Sequence, residues 1–152
     1  MTTIRELLTD DHRVCDAFFV AVEQVVADKA WNKADADFVV LHNAMLRHFA
    51  VEESILFPAF EDRTGMRMGP TQVMRGEHAQ MRELLDAAAA SLAARDTGDY
   101  SGYAETLLIM MQQHNMKEEN VLYPMCDQHL GYQLETLMPQ LMRGITSEKD
   151  SA

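Results

Sequence analysis

Apolar positions in this chain recur in alternating steps of three and four. One inward stripe runs Leu8, His12, Cys15, Phe19, Val22, Val26, and another runs Met74, His78, Met81, Leu85, Ala88, Leu92. Between them lies Phe38, Leu41, Met45, His48, Glu52, Ile55, Ala59, and after them Leu107, Met111, His114, Glu118, Val121, Met125. This is helical spacing, and its seven-residue period suits helices packed nearly parallel to one another. No β-rich run competes: the apolar run Leu107–Met111 sits inside a helical pattern. The pattern predicts an all-α fold, an up-and-down antiparallel four-helix bundle. A short fifth helix is expected after Gly131, through Leu134, Leu137 and Leu141, with Pro139 inside it.

Turn chemistry marks the joints. Asp96-Thr97-Gly98-Asp99 reads as one turn, and Thr64-Gly65 with Gly69-Pro70 as another. Residues 29–33 carry a weaker signal. Pro58 and Pro124 are expected to kink or end their helices. The length suits one domain, residues 1–145, followed by a polar tail, 146–152.

The second half of the chain repeats the first. His48-Phe-Ala-Val-Glu52-Glu53-Ser-Ile-Leu-Phe57-Pro58 and His114-Asn-Met-Lys-Glu118-Glu119-Asn-Val-Leu-Tyr123-Pro124 share H-x3-E-E-x3-aromatic-P, and Asp11-His12 corresponds to Glu77-His78. His48 to His114 and His12 to His78 are both 66 residues apart. The chain therefore reads as two copies of one helical hairpin.

His12, His48, Glu52, His78, His114 and Glu118 all fall on the inward stripes. Two residues of an antiparallel hairpin lie level when they are equidistant from its turn. The midpoint of His12 and His48 is Ala30, that of His78 and His114 is Asp96, and that of Glu52 and His78 is Gly65. Each midpoint is at an expected turn, so all six side chains should meet in one layer. Burying four imidazoles and two carboxylates without compensation is costly, and metal ions are the natural compensation. The H-x3-E spacing puts both groups on one helix face, one turn apart. The set offers two imidazoles to each of two ions and two carboxylates to share between them. Oxide or hydroxide from water could complete the bridge, leaving each ion room for one exogenous ligand. Mixed imidazole and carboxylate ligation suits iron, with manganese the other candidate; zinc favours closed tetrahedra.

Composition narrows the partners. The net charge of −11 repels nucleic acid and anionic membrane surfaces. No apolar stretch is long enough to span a bilayer, and Met1–Asp11 has no signal-peptide core. Two cysteines, Cys15 and Cys126, without an export signal fit reduced thiols in the cytoplasm. The expected partner is a small diatomic or peroxide ligand, with no membrane and no nucleic acid, and the chain is expected as a monomer or weak oligomer. Twelve methionines suit an adaptable helical core.

At these motifs the chain resembles the hemerythrin-like (HHE cation-binding) domain family, over roughly residues 4–128. The resemblance implies a four-helix bundle around a non-haem di-iron centre. Its ligands would be His12, His48, Glu52, His78, His114 and Glu118, with Glu52 and Glu118 bridging the irons. The oxygen-carrying hemerythrins differ: their third helix has an H-x3-H pair where this chain has Met74 and Arg82 beside His78. Their fourth helix has H-x4-D where this chain has H-x3-E. The four-His, two-Glu set is more similar to bacterial relatives linked to nitric oxide, peroxide or iron-centre repair. The repair relatives carry an extra N-terminal domain with a cysteine pair, which is not expected here.

The functional expectation is therefore a di-iron protein that binds or reduces O2, NO or H2O2. The alternative is a non-catalytic iron-handling, repair or sensing module, and turnover stays open. Glu53 and Glu119 have two readings, hydrogen bonds to the metal-binding residues or solvated carboxylates. Tyr123 and Phe57 are expected in the core, Tyr123 with a lesser chance of donating to a bound ligand. Cys15 is expected as a small buried hydrophobe, and His42 and His129 as ordinary surface histidines.

Overall fold

The computed structural model describes residues 2–146. The expected polar tail, 146–152, lies outside them except for Thr146. Four rods run up and down. The first is α1 (Ile4–Ala27) and the second is α2 (Trp31–Val51), continued through a π turn (Glu52–Leu56) into α3 (Phe57–Thr64). The third is α4 (Pro70–Ala93), and the fourth is α5 (Thr97–Lys117), continued through a second π turn (Glu118–Leu122) into α6 (Tyr123–Leu130). After a 3₁₀ turn (Gly131–Gln133) comes α7 (Leu134–Ile145), the expected fifth helix, lying against α1, α2 and the first π turn. Among the described residues there is no strand, and no helix is long and apolar enough to cross a membrane.

The joints repeat as the motifs do. Lys29 and Arg95, 66 residues apart, both take left-handed backbone with φ of 55° and 57°. Ala30 and Asp96 follow them as the N-caps of α2 and α5, and the Asp96 carboxylate accepts the Asp99 N–H at 2.9 Å. The second turn therefore lies just before the expected tetrapeptide, because this cap starts α5 at Thr97 and takes Gly98 into the helix. At the central joint Gly65 caps α3 with φ 75°, where a side chain would strain the backbone, and Pro70 opens α4.

The stripes of α1 and α4 are buried throughout as expected. Those of the second and fourth rods hold only as far as Glu52 and Glu118. Beyond these residues Val121 is 53% exposed, and Ile55, Ala59 and Met125 are only partly buried. Instead Leu56, Phe57 and Phe60 are buried in one rod and Leu122, Tyr123 and Cys126 in the other. The π turns cause this correction. Phe57 N–H reaches the Glu52 carbonyl, and Tyr123 N–H the Glu118 carbonyl, five residues back. The extra residue advances the inward face by one position. Proline supplies the reason: Pro58 and Pro124 have no N–H to give Ser54 and Asn120, and their rings clash with those carbonyls in a regular α-helix. The prolines displace the stripe and bend each rod without ending it.

Two apolar clusters result. One is built around Phe19, Leu41, Leu85 and Leu107, the other around Ile4, Phe57, Phe60 and Leu130. The six stripe histidines and glutamates belong to neither.

Candidate metal centre

All six polar stripe residues are buried: His12, His48, His78 and His114 are at most 4% exposed, and Glu52 and Glu118 are at 0%. They converge on one layer. Two groups have one donor atom from each residue within 4.8 Å of the others: Glu52, His78, His114 and Glu118, and then His12, His48 and Glu118.

Each imidazole is gripped from outside by a carboxylate at its Nδ1. His12 meets Glu119 at 2.7 Å, His48 meets Asp11 at 2.7 Å, His78 meets Glu53 at 2.7 Å, and His114 meets Glu77 at 2.8 Å. A carboxylate only accepts, so in the neutral ring the proton sits on Nδ1 and each Nε2 presents a lone pair to the interior. Carboxylate–imidazole pairs of this kind orient metal-binding histidines. The pattern follows the repeat: Asp11 and Glu77 serve the second histidine of their own hairpin, whereas Glu53 and Glu119 serve the first histidine of the other. Farther out, Arg82 donates to both oxygens of Glu53 at 2.8 and 2.9 Å, and Lys117 pairs with Glu77.

The inner atoms show what the layer lacks. Glu52 Oε1, His78 Nε2, His114 Nε2 and Glu118 Oε2 are buried with no hydrogen-bond partner. His78 Nε2 and Glu52 Oε1 are only 3.1 Å apart, yet no hydrogen bond joins them. With Nδ1 carrying the proton, a lone pair faces an acceptor. Leaving four such atoms bare costs about 1–3 kcal/mol each, a large share of a domain's stability. A cation is the partner they fit, and their four residues are those of the first donor group.

Charges agree. Burial and the facing Glu118 raise the Glu52 carboxyl above its ordinary range. Against its own burial, Glu118 is held well below that range, first by its contact with the Glu52 carboxyl and then by the imidazoles of His114 and His12 that face it. The layer thus resists two bare carboxylates, as expected of buried like charges without a cation between them. Burial depresses the basicity of His48, but Glu52 and Asp11 override it and raise its pKa to about 9.

Tyr123, expected in the core with donation to a bound ligand as its lesser reading, is in contact with the site. Its hydroxyl donates to Glu52 Oε2 at 2.8 Å and Glu118 Oε1 at 3.0 Å, sharing one hydrogen, and lies 3.2 Å from both His48 Nε2 and His12 Nε2. Burial and the two glutamates push its pKa well above the usual phenol value. Phe57, its counterpart in the repeat, packs its ring 5.8 Å from that of His78. Asp11 and Glu77 were legible as a repeated acid before each first histidine, but their targets were not.

On the other side of the layer lies a cavity of about 20 Å³, lined by His12, His48, Cys15, Met45, Met81 and Met111, with Phe49 and Asn115 completing it. Burial pushes the Cys15 thiol up to about 12, so it is an inert thiol there. Cys126 is also a free buried thiol. His42 and His129 are outside the layer. They are partly buried, His42 stacked on Phe38 at 5.8 Å and His129 edge-on to Phe60 at 6.1 Å, rather than free on the surface.

Comparison with known proteins agrees with this geometry. The model of the hemerythrin HHE cation-binding domain matches residues 3–126. The iron-sulfur cluster repair protein YtfE of Enterobacter sp. (strain 638) is 34% identical over 115 residues, which cover 68% of this chain and 52% of that protein. The chain thus spans about half the length of the curated relative it matches. No solved structure matches it. With its buried histidine and glutamate layer, this chain belongs to the hemerythrin HHE cation-binding domain family.

Proposed function

We propose that this chain is a non-haem di-iron protein that binds or reduces a small oxidant: dioxygen, nitric oxide or hydrogen peroxide. The observation that carries the reading is the buried quartet Glu52 Oε1, His78 Nε2, His114 Nε2 and Glu118 Oε2, which has no protein partner. Those four residues would hold one ion; His12 and His48, with Glu118, would hold the other, Glu52 and Glu118 bridging the two. Four imidazoles with two carboxylates suit iron better than zinc, and manganese is the nearest competitor.

Iron, when bound, supplies the electrons and an open coordination position. The protein supplies the rest. Asp11, Glu53, Glu77 and Glu119 keep the Nδ1 protons and fix the four rings, which tunes how strongly each Nε2 donates. The two apolar clusters keep bulk water away from the layer. The cavity beside His12 and His48 is about one small molecule in size, and its thioether and thiol lining favours an uncharged guest such as a diatomic gas.

The test begins with protein purified without added metal. Two irons per chain, with near-ultraviolet absorption of a bridged pair, are expected. Adding oxygen or nitric oxide to the reduced protein without air should change the visible spectrum. Absence of iron, or no response to either gas together with no peroxide consumption, overturns the proposal.

The named relative favours a second reading, in which the domain handles iron for the repair of iron centres. It fits a cytoplasmic protein with reduced thiols. It predicts that bound iron passes to a chelator or an apo-protein without turnover of any oxidant.

A further inference from the structure

Every buried sulfur of the apolar cluster around Phe19 and Leu85 lies in one layer. Cys15 and Met45 are equidistant from Ala30, and Met81 and Met111 from Asp96, so the four are level. They stand one helical turn from the histidines, on the side of those two joints. Each rod contributes one, and the repeat pairs Cys15 with Met81 and Met45 with Met111, 66 residues apart. All four are at most 5% exposed. The next level, Phe19, Leu41, Leu85 and Leu107, is hydrocarbon alone.

The same four side chains line the cavity of about 20 Å³, together with His12, His48, Phe49 and Asn115. A space of that size takes about one ion or small molecule. Methionine adapts to fill gaps in a core, yet three of them surround this one without closing it. The two imidazoles are committed elsewhere. Their Nδ1 atoms meet Glu119 and Asp11, and both Nε2 atoms meet the Tyr123 hydroxyl. Phe49 has no donor atom. The donors left to a guest are one thiol, three thioethers and the Asn115 amide.

We propose that this layer is a binding site for a soft monovalent metal ion, copper(I), held by Cys15, Met45, Met81 and Met111. Thioether and thiolate sulfur select copper(I), whereas imidazole and carboxylate suit the iron of the neighbouring layer. Charge points the same way. Burial holds the Cys15 proton on its sulfur. As copper(I) binds, the S–H bond breaks, a Cu–S bond forms, the proton leaves to solvent and the copper stays monovalent. The cavity is neutral before and after. A divalent ion would bring a net charge into apolar surroundings, which is costly. Asn115 is the one lining residue that is not buried, and it marks the way in. The ion and the diatomic guest of the proposed function compete for one space, but the copper site stands whether or not the polar layer holds iron.

The experiment titrates the full chain, as purified and without oxygen, with copper(I) against a copper(I)-selective chelator. Copper X-ray absorption then identifies the neighbours of the bound ion. Copper(I) held against the chelator, with sulfur neighbours, is expected. M45L and M111L keep the volume of the side chain and remove its sulfur. Each should weaken copper(I) binding by at least about tenfold, read as a shift in the chelator competition. No copper(I) held against the chelator, copper with only nitrogen and oxygen neighbours, or unchanged affinity in both variants overturns the proposal. Should a variant fail to fold, the wild-type absorption spectrum decides alone. Iron is counted separately, so its absence removes the di-iron reading and leaves this one standing.

Discussion

Each imidazole of the layer is useful because something outside it decides where its proton goes. Glu53 shows this most clearly, since it binds His78 Nδ1 on one side and the Arg82 guanidinium on the other. E53Q keeps the shape but replaces a charged acceptor with an amide. Metal affinity should fall by about 10–100-fold, the usual cost of losing such a support, read by chelator competition. Burial opposes ionisation of Glu53, but the hydrogen bonds from His78 and Arg82 win and lower its pKa from 4.5 to about 2. A carboxylate depressed on folding contributes stability that is fully present above its unfolded value and disappears as pH falls through the folded one. The melting difference between metal-free wild type and E53Q should therefore be constant above about pH 5 and shrink toward pH 2. At this scale the sequence was most informative where the repeat doubled a signal. The six inner residues were legible because each had a partner in phase. The supporting role of Glu53 and Glu119 was not separable from simple solvation, since a carboxylate one residue past the stripe can point either way. Tyr123 was obscured because phase with Phe57 made both look like packing.

Among the elements, the π turns carry the largest departure from simple periodicity. A stripe drawn through Glu52 to Ile55 and Ala59 assumes an unbroken α-helix. Pro58 forbids the bond that assumption needs, so the chain takes in one extra residue and buries Leu56 and Phe60 instead. The same offset at Pro124 buries Tyr123 on the axis of the site. The signal was present, a proline six residues after each glutamate, but a proline announces only that a regular helix fails, not how. The fifth helix shows a different kind of constraint. Gly144 of α7 lies so close to α2 that an added Cβ would stand 2.2 Å from Val51 Cγ2. Val51 is buried and β-branched, so it has little room to turn. G144A should destabilise the protein by about 1–3 kcal/mol, seen in urea or thermal unfolding, as overpacked contacts do. A neutral outcome would mean that α7 shifts along the bundle at no cost.

For the molecule as a whole, the polar layer separates two apolar clusters that would otherwise be one core. That arrangement is costly unless the layer is compensated, so metal binding should add to the stability of the fold. Stripping the metal should lower stability by about 3 kcal/mol when free metal stood near a hundredfold its dissociation constant, and the melting temperature by several degrees. Calorimetry with and without chelator checks it. The overall architecture was legible because helix spacing, turn residues and the repeat all pointed to the same bundle; the asymmetry between its halves was not, because it depends on which side of the layer a single hydroxyl reaches. One more consequence follows from the crossed supports, in which Glu119 holds His12 and Glu53 holds His78. Neither hairpin can hold both of its own imidazoles in place. If the chain is opened in the segment 65–69 and the halves are produced as separate polypeptides, each alone should be a poor receptor for iron. Mixed, they should associate in a metal-dependent way, so that chelation dissolves the pair and iron restores it. Protease nicking at that joint would then go unnoticed for as long as the metal stays aboard.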